Sequence, residues 1–181
     1  MGTACGQGER QIHPGDATLG RECREWPEGA THAEIQTLIE ENCREDETII
    51  FTDGSVQRGI KSGWAYAASC QGVTIQEESG ATGLTTSSMC MEIKAITEAL
   101  KWLRSNGNKQ ATFLTDLMNA MDKILSGSLY ADWFRTVQGS QIRRLQWIFC
   151  PGHAGVKGNE RVDRLAGSAT IEECLSFILQ L

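Results

Sequence analysis

Four acidic residues and one histidine occupy positions where their side chains could act together. Asp53 and Asp116 each close a short apolar run, Thr48-Ile49-Ile50-Phe51-Thr52-Asp53 and Ala111-Thr112-Phe113-Leu114-Thr115-Asp116. In open sheets with helical crossovers, ligands gather beyond the carboxyl ends of parallel strands, so neighbouring strands would bring both carboxylates to one crevice. Aspartate also follows strands simply because it starts turns, and position alone leaves both roles open. Glu92 is more specific. On a helix it borders the apolar stripe Met89, Ile93, Ile96, Leu100 and Leu103, whereas Lys94, Glu98 and Lys101 take the outer side. A carboxylate at the margin of a core is costly unless it is paired or bound to a cation. No Arg or Lys stands one helical turn away, where Ser88, Met89, Ala95 and Ile96 are found. His153 lies in the Gly-rich stretch Pro151-Gly152-His153-Ala154-Gly155-Val156-Lys157-Gly158, ten residues before Asp163 and on no apolar face. An imidazole there can exchange protons near neutral pH.

The elements that must position these groups follow from the hydrophobic pattern. Thr48–Asp53 reads as a strand ending in a turn. Gly63–Cys70 and Val73–Gln76 form a hairpin around Gln71-Gly72. Ser87–Ser105 is helical and ends at Asn106-Gly107. Ala111–Asp116 is a strand, two helical pieces follow near 117–126 and 130–138, and Leu145–Cys150 is a last strand halted by Pro151-Gly152. A final helix begins near Asn159, with Val162, Leu165, Ala166 and Ala169 on one face. Three strands, a helix, a strand, one or two helices, a strand and a helix make an α/β layer fold. Trp133 and Phe134, at helical spacing with Tyr130 and Val137, are expected in the core.

Four segments taken in order resemble the type-1 ribonuclease H family. They are Thr52-Asp53-Gly54-Ser55, Met91-Glu92 ahead of Ala95, Thr115-Asp116, and the highly specific string His153-x-Gly155-Val156-x-Gly158-Asn159-Glu160-x-Val162-Asp163-x-Leu165-Ala166. The string is similar in flavour to the ribonuclease H domains of non-LTR retroelements. The resemblance spans residues 48–169 and implies a ribonuclease H-like fold, a mixed five-stranded sheet flanked by helices. It implies endonucleolytic hydrolysis of the RNA strand of RNA–DNA hybrids, with Asp53, Glu92, Asp116 and Asp163 as metal-binding carboxylates and His153 as a mobile histidine near the leaving side. Two Mg²⁺ ions, with Mn²⁺ able to substitute, would neutralise a cluster that could not otherwise stay ionised. Reading RNA in a hybrid requires contact with the 2′-hydroxyl. Gly54, Ser55, Ser88 and Asn119 are the substrate-binding candidates, with Thr86 and Ser87 beside them. Serine and threonine there also serve as helix caps.

Two features depart from the family pattern. Leu117 follows the third acid where a small polar residue is usual, which removes a possible hydrogen bond. Only 36 residues separate Asp116 from His153, too few for the helices and a basic handle as well. Hybrid affinity should therefore be modest and steeply salt-dependent.

Composition bounds the rest. The chain has 181 residues and a net charge of −6, which on its face disfavours a nucleic-acid partner. Residues 1–47 carry 11 acids and 4 bases, whereas residues 48–181 carry 12 acids and 13 bases, so the second segment is mildly basic once four acids are assigned to metal. Seven cysteines form no C-x-x-C pair and read as small core hydrophobes. No apolar run approaches the roughly 20 residues a membrane span needs, and the first residues lack the pattern of a secretory signal. The organisation expected is an acidic, largely irregular extension over 1–47 with one short helix capped by Thr31 and Glu34, a ribonuclease H domain over 48–169, and a helical tail over 170–181. The expected state is a monomer that binds RNA–DNA hybrid, with an upstream reverse transcriptase domain in a parent polyprotein. The competing reading is a non-catalytic nucleic-acid-binding or assembly module derived from such a polyprotein.

Overall fold

The computed structural model describes residues 11–17, 19, 23, 25–27, 29–57, 61–83, 86–117, 133, 135–138 and 140–178, the side chains of 11–17 and 172–178 excepted. Strands β1 (Gln11–Ala17), β2 (Thr48–Gln57), β3 (Lys61–Cys70), β4 (Val73–Thr82), β5 (Gln110–Thr115) and β6 (Arg144–Phe149) form one sheet in the order β1-β6-β5-β2-β3-β4. β2, β3 and β4 pair antiparallel, whereas β5 runs parallel to β2 and to β6. The mixed five-stranded sheet expected from sequence is thus β2 to β6. Gln71 and Gly72 both take positive φ, 51° and 74°, the geometry of a two-residue hairpin turn between β3 and β4.

Alternation along the strands sorts the core into two layers. Ile50, Tyr66, Ala68, Phe113, Leu145 and Trp147 face α2 (Ser88–Ser105), which contributes Met91, Ala95, Ile96, Ala99, Leu100 and Leu103. Trp133 also joins this layer, as expected; its ring stacks 5.8 Å from Trp147, and its Nε1 donates to Thr97 Oγ1 at 3.0 Å. Phe134 and the helical piece near 117–126 lie outside the described residues, Leu117 excepted. On the opposite face, Phe51, Ala65, Ala67, Leu114 and Ile148 pack under α1 (Ala30–Asn42) and α3 (Lys157–Ile178). α3 approaches β3 so closely that a Cβ on Gly63 would lie 2.2 Å from Ala166 O, which only glycine permits.

The N-terminal segment differs most from its expected form. Residues 11–17, read as irregular, form β1 parallel to β6, a sixth strand at the sheet edge. Its register shifts between His13 and Ala17, around Pro14-Gly15. Proline lacks an N–H for a ladder, and an edge strand with an irregularity is where it is tolerated. No side-chain alternation announced such a strand. Helix α1 starts one residue before the expected cap: Gly29 is its N-cap, and no side chain caps it. Thr31 instead lies inside the helix, buried, and donates to Cys23 O at 3.3 Å. The expected helical tail is, over 170–178, the continuation of α3, and Ile171 within it is 53% exposed.

Between α1 and β2, Glu47 is fully buried. Its Oε1 accepts from Thr112 Oγ1 at 2.6 Å, and its Oε2 accepts from Arg44 N–H at 3.0 Å and from Arg144 Nη1 at 3.2 Å. Arg144 Nη2 also donates to Asn42 O at 2.8 Å. Three pieces of chain far apart in sequence, the turn after α1, β5 and β6, are thereby joined by one carboxylate. Removing one partner of a buried pair strands the other. Glu47→Ala should cost about 3 kcal/mol of stability, read as a lower urea midpoint at unchanged slope, and an unshifted midpoint would refute the role of this network.

Candidate active site

β2 and β5 are parallel neighbours, and their register pairs Phe51 with Leu114. Asp53 and Asp116 each stand two residues beyond that pair, so they reach the same level at the same end of the sheet. Asp53 does not end its strand, contrary to the sequence reading. β2 continues to Gln57 because β3 pairs with it along the whole length, while pairing to β5 stops at Phe51. The divergence of β5 from β2 opens the crevice. Asp53, Glu92, Asp116, Asp163 and His153 all line one cavity of about 360 Å³, together with Gly54, Ser55, Val56, Ser88, Met89 and Leu117.

Glu92 enters from α2. Ser87 caps that helix by accepting Cys90 N–H at 3.2 Å, and the first turns then lie against Gly54. A Cβ on Gly54 would fall 2.5 Å from Glu92 N, so the glycine after Asp53 allows helix and strand to touch. Gly54 N–H donates to Glu92 Oε1 at 2.8 Å. Glu92 is 3% exposed, and no donor reaches its buried Oε2. The Asp53 carboxylate stands beside the Glu92 side chain, and two carboxylates leave each other unsatisfied unless a proton or a cation lies between them. Burial pushes the Glu92 carboxyl up to about 10, and the adjacent Asp53 and the charge of Asp116 add to it. Burial also raises Asp53; its contact with Glu92 opposes this, and the charges of Asp163 and Asp116 reinforce it. A buried acceptor without a donor, facing three further carboxylates, is a set of oxygen ligands suited to Mg²⁺ or Mn²⁺.

His153 stands on the loop between β6 and α3 with φ 54°, a left-handed conformation uncommon for a residue with a side chain. Its Nδ1 lies 3.8 Å from Asp163 Oδ2, and its side chain is 81% exposed. Glu160, one turn before Asp163, accepts Gly155 N–H at 3.3 Å and holds the loop. Glu160 stands within the His153–Ala166 string, and its spacing of three from Asp163 is the sequence signal for this role. Gly54, Ser55 and Ser88 line the cleft, and Ser87 serves as a cap. Asn119 lies outside the described residues. Leu117 is 8% exposed, packs into the α2 layer and also lines the cleft, an apolar contact that sequence reading had treated only as a lost hydrogen bond. Among the described residues, no helix is long and apolar enough to cross a membrane.

The fold and the sequence have known relatives. The ribonuclease H family profile matches residues 45–171, and the chain belongs to that family. A ribonuclease H from Geotalea uraniireducens (strain Rf4) is 31% identical over 137 residues, covering 66% of this chain and 91% of the relative. One from Cyanothece sp. is 26% identical over 135 residues, covering 65% of this chain and 85% of the relative. Among solved structures, LC11-RNase H1 in complex with RNA/DNA hybrid superposes with a TM-score of 0.58 at 21% identity, over 71% of this chain and 99% of that one. A foamy viral protease-reverse transcriptase shares the fold with a TM-score of 0.54 at 12% identity, over 90% of this chain and 30% of that one.

The electrostatics of Glu92 make stability depend on pH. Its carboxyl ionises near 4.5 in the unfolded chain and near 10 in the fold. Between those values the native state holds a proton that the unfolded state has lost, so stability falls as pH rises through that window. In EDTA the protein should lose stability steadily from about pH 5 to about pH 9. Glu92→Gln should flatten that slope and unfold at higher urea than wild type at the alkaline end. A flat wild-type profile would contradict a protonated Glu92.

Proposed function

We propose that this chain is a divalent-metal-dependent endonuclease that hydrolyses the RNA strand of RNA–DNA hybrids. The observation that carries the reading is Glu92, buried at the base of a cleft with one oxygen lacking a donor and with Asp53, Asp116 and Asp163 beside it. Family membership supports the same activity, as do relatives named ribonuclease H and a solved neighbour that contains RNA/DNA hybrid.

In this reading Asp53, Glu92, Asp116 and Asp163 hold two Mg²⁺ ions, with Mn²⁺ as substitute, which when bound activate a water and offset charge on the departing 3′ oxygen. The remaining work falls to the chain. Gly54 N–H fixes Glu92 Oε1, and the buried Oε2, which has no donor, is left for the cation beside Asp53. β2 and β5 hold Asp53 and Asp116 level, so their oxygens need little rearrangement as charge develops. Asp163 sits beside Nδ1 of His153, which leaves Nε2 of that exposed ring to exchange a proton with an oxygen of the substrate or with solvent. Gly54, Ser55 and Ser88 offer polar groups for a ribose 2′-hydroxyl at the wall of the cleft. The His153–Ala166 string favours an origin in a retroelement polyprotein, in which a reverse transcriptase domain would lie upstream.

Purified protein with Mg²⁺ should nick the RNA strand of a labelled hybrid and should stop in EDTA. Asp116→Asn and Asp53→Asn should each lower the rate at least about a hundredfold, since each removes a ligand charge on which the cation depends. If Asp116→Asn cuts as fast as wild type, the assignment of the site is wrong. If wild type binds hybrid but never cuts it, the non-catalytic binding module is the correct reading.

A further inference from the structure

A second cavity, of about 380 Å³, lies beside the acidic cleft and is lined by His153, Gly155, Lys157, Glu160 and Arg164. His153 lines both spaces, so one imidazole is their shared wall. We propose that this second cavity is a phosphate subsite for the strand being cut, with Lys157 and Arg164 as its anion-binding groups. It would take the phosphodiester next to the one held at the acids. The proposal rests on the nuclease reading and adds a place where the strand is gripped.

Three observations support it. Lys157 and Arg164 are seven residues apart on α3, two turns, and therefore project from one face. Both are exposed, and neither makes an ion pair among the described residues, unlike Arg161, whose guanidinium is bound to Glu77 of β4. The one acid in the lining, Glu160, is already committed to Gly155 N–H, so two cations face one engaged carboxylate and the space favours an anion. Continuity supplies the ligand. A strand with a phosphodiester at Asp163 passes His153, and Arg164 directly follows Asp163 in the helix. The 36 residues between Asp116 and His153 leave little length for a basic handle, which gives phosphate contacts beside the cleft more weight in hybrid affinity. A cation is the competing occupant, because donor atoms of His153, Glu160 and Asp163 all lie within 4.8 Å of one another. Two positive side chains in the same lining oppose it.

The test measures binding of the full chain to a fluorescent hybrid by anisotropy, with Ca²⁺ in place of Mg²⁺ to keep the RNA intact. Wild type is compared with Lys157→Ala/Arg164→Ala between about 50 and 200 mM salt. The double variant should bind about tenfold more weakly, with a log–log salt slope shallower by about 1 to 2, because each phosphate contact contributes about 0.9. A single neutral methylphosphonate is then moved one linkage at a time through the RNA strand. One position beside the cleavage site should weaken wild type and leave the double variant unaffected. Equal losses in both proteins at every linkage, or an unchanged salt slope, would overturn the subsite. A third Mn²⁺ per chain by calorimetry, lost in Glu160→Gln without change in hybrid affinity, would assign the space to a cation and overturn it too. The two readings fail separately. A wild type that cuts hybrid but is matched by the double variant refutes only the subsite, whereas a wild type that neither binds nor cuts hybrid refutes the nuclease.

Discussion

Asp53, Glu92, Asp116 and Asp163 share a single cleft, and the crowding of their carboxyl groups, which raises Asp53 and Glu92 above the ordinary carboxylate range, is what the fold around them must withstand. Asp53 stands on β2 and Asp116 one residue past the end of β5, each two residues beyond the last pair of the parallel ladder between them. The third is pinned by a main-chain amide from the residue that follows the first. The fourth is carried by the longest helix, which lies on β3 with no room for a side chain at Gly63. Rigid elements resist like charges better than loops do, since a loop would relax outward into water and disperse the ligands. His153, the member that need not bear a fixed charge, stands on a loop with a largely exposed ring.

That arrangement has a thermodynamic counterpart. The group most perturbed by its neighbours is also the most buried of the four. Under the proposed metal-dependent reading, a bound cation would displace a proton from the Asp53–Glu92 pair, and affinity for the metal would rise with pH for the same reason that the fold weakens. Sites of this kind hold stability in reserve for function.

Much of this was legible in the sequence, for identifiable reasons. The five strands and the two long helices have strong periodicity, and the Gly-rich string before Asp163 is specific enough to place both His153 and the acid. Glu92 could be singled out because it had no cation within a helical turn. What escaped notice was whatever depends on pairing across the chain. β1 contains Pro14 and Gly15 and has no alternation, so only its partner β6 makes it a strand. Thr31 looked like a cap because a hydroxyl followed three residues later by Glu34 has that form, yet its tertiary bond to Cys23 places it inside the helix. The continuation of β2 past Asp53 was invisible because pairing with β3, not local composition, decides where it stops. The network around Glu47 joins residues 65 and 97 positions apart, a distance that no local pattern reports.

α1 changes what counts as the molecule. Ile35 is wholly enclosed, and Leu19 and Cys23 sit with it against Leu114, Cys150 and Val156, the residues that lead into Asp116 and the His153 loop. The family profile begins at residue 45, so this layer lies outside the stretch that the profile covers, beneath the cleft end of the sheet. A fragment trimmed to the family boundary would keep Asp53, Glu92, Asp116, His153 and Asp163 but uncover a greasy socket directly behind them. Such a fragment would be sticky and prone to self-association, and loss of activity in it would report a missing floor, not a missing ligand.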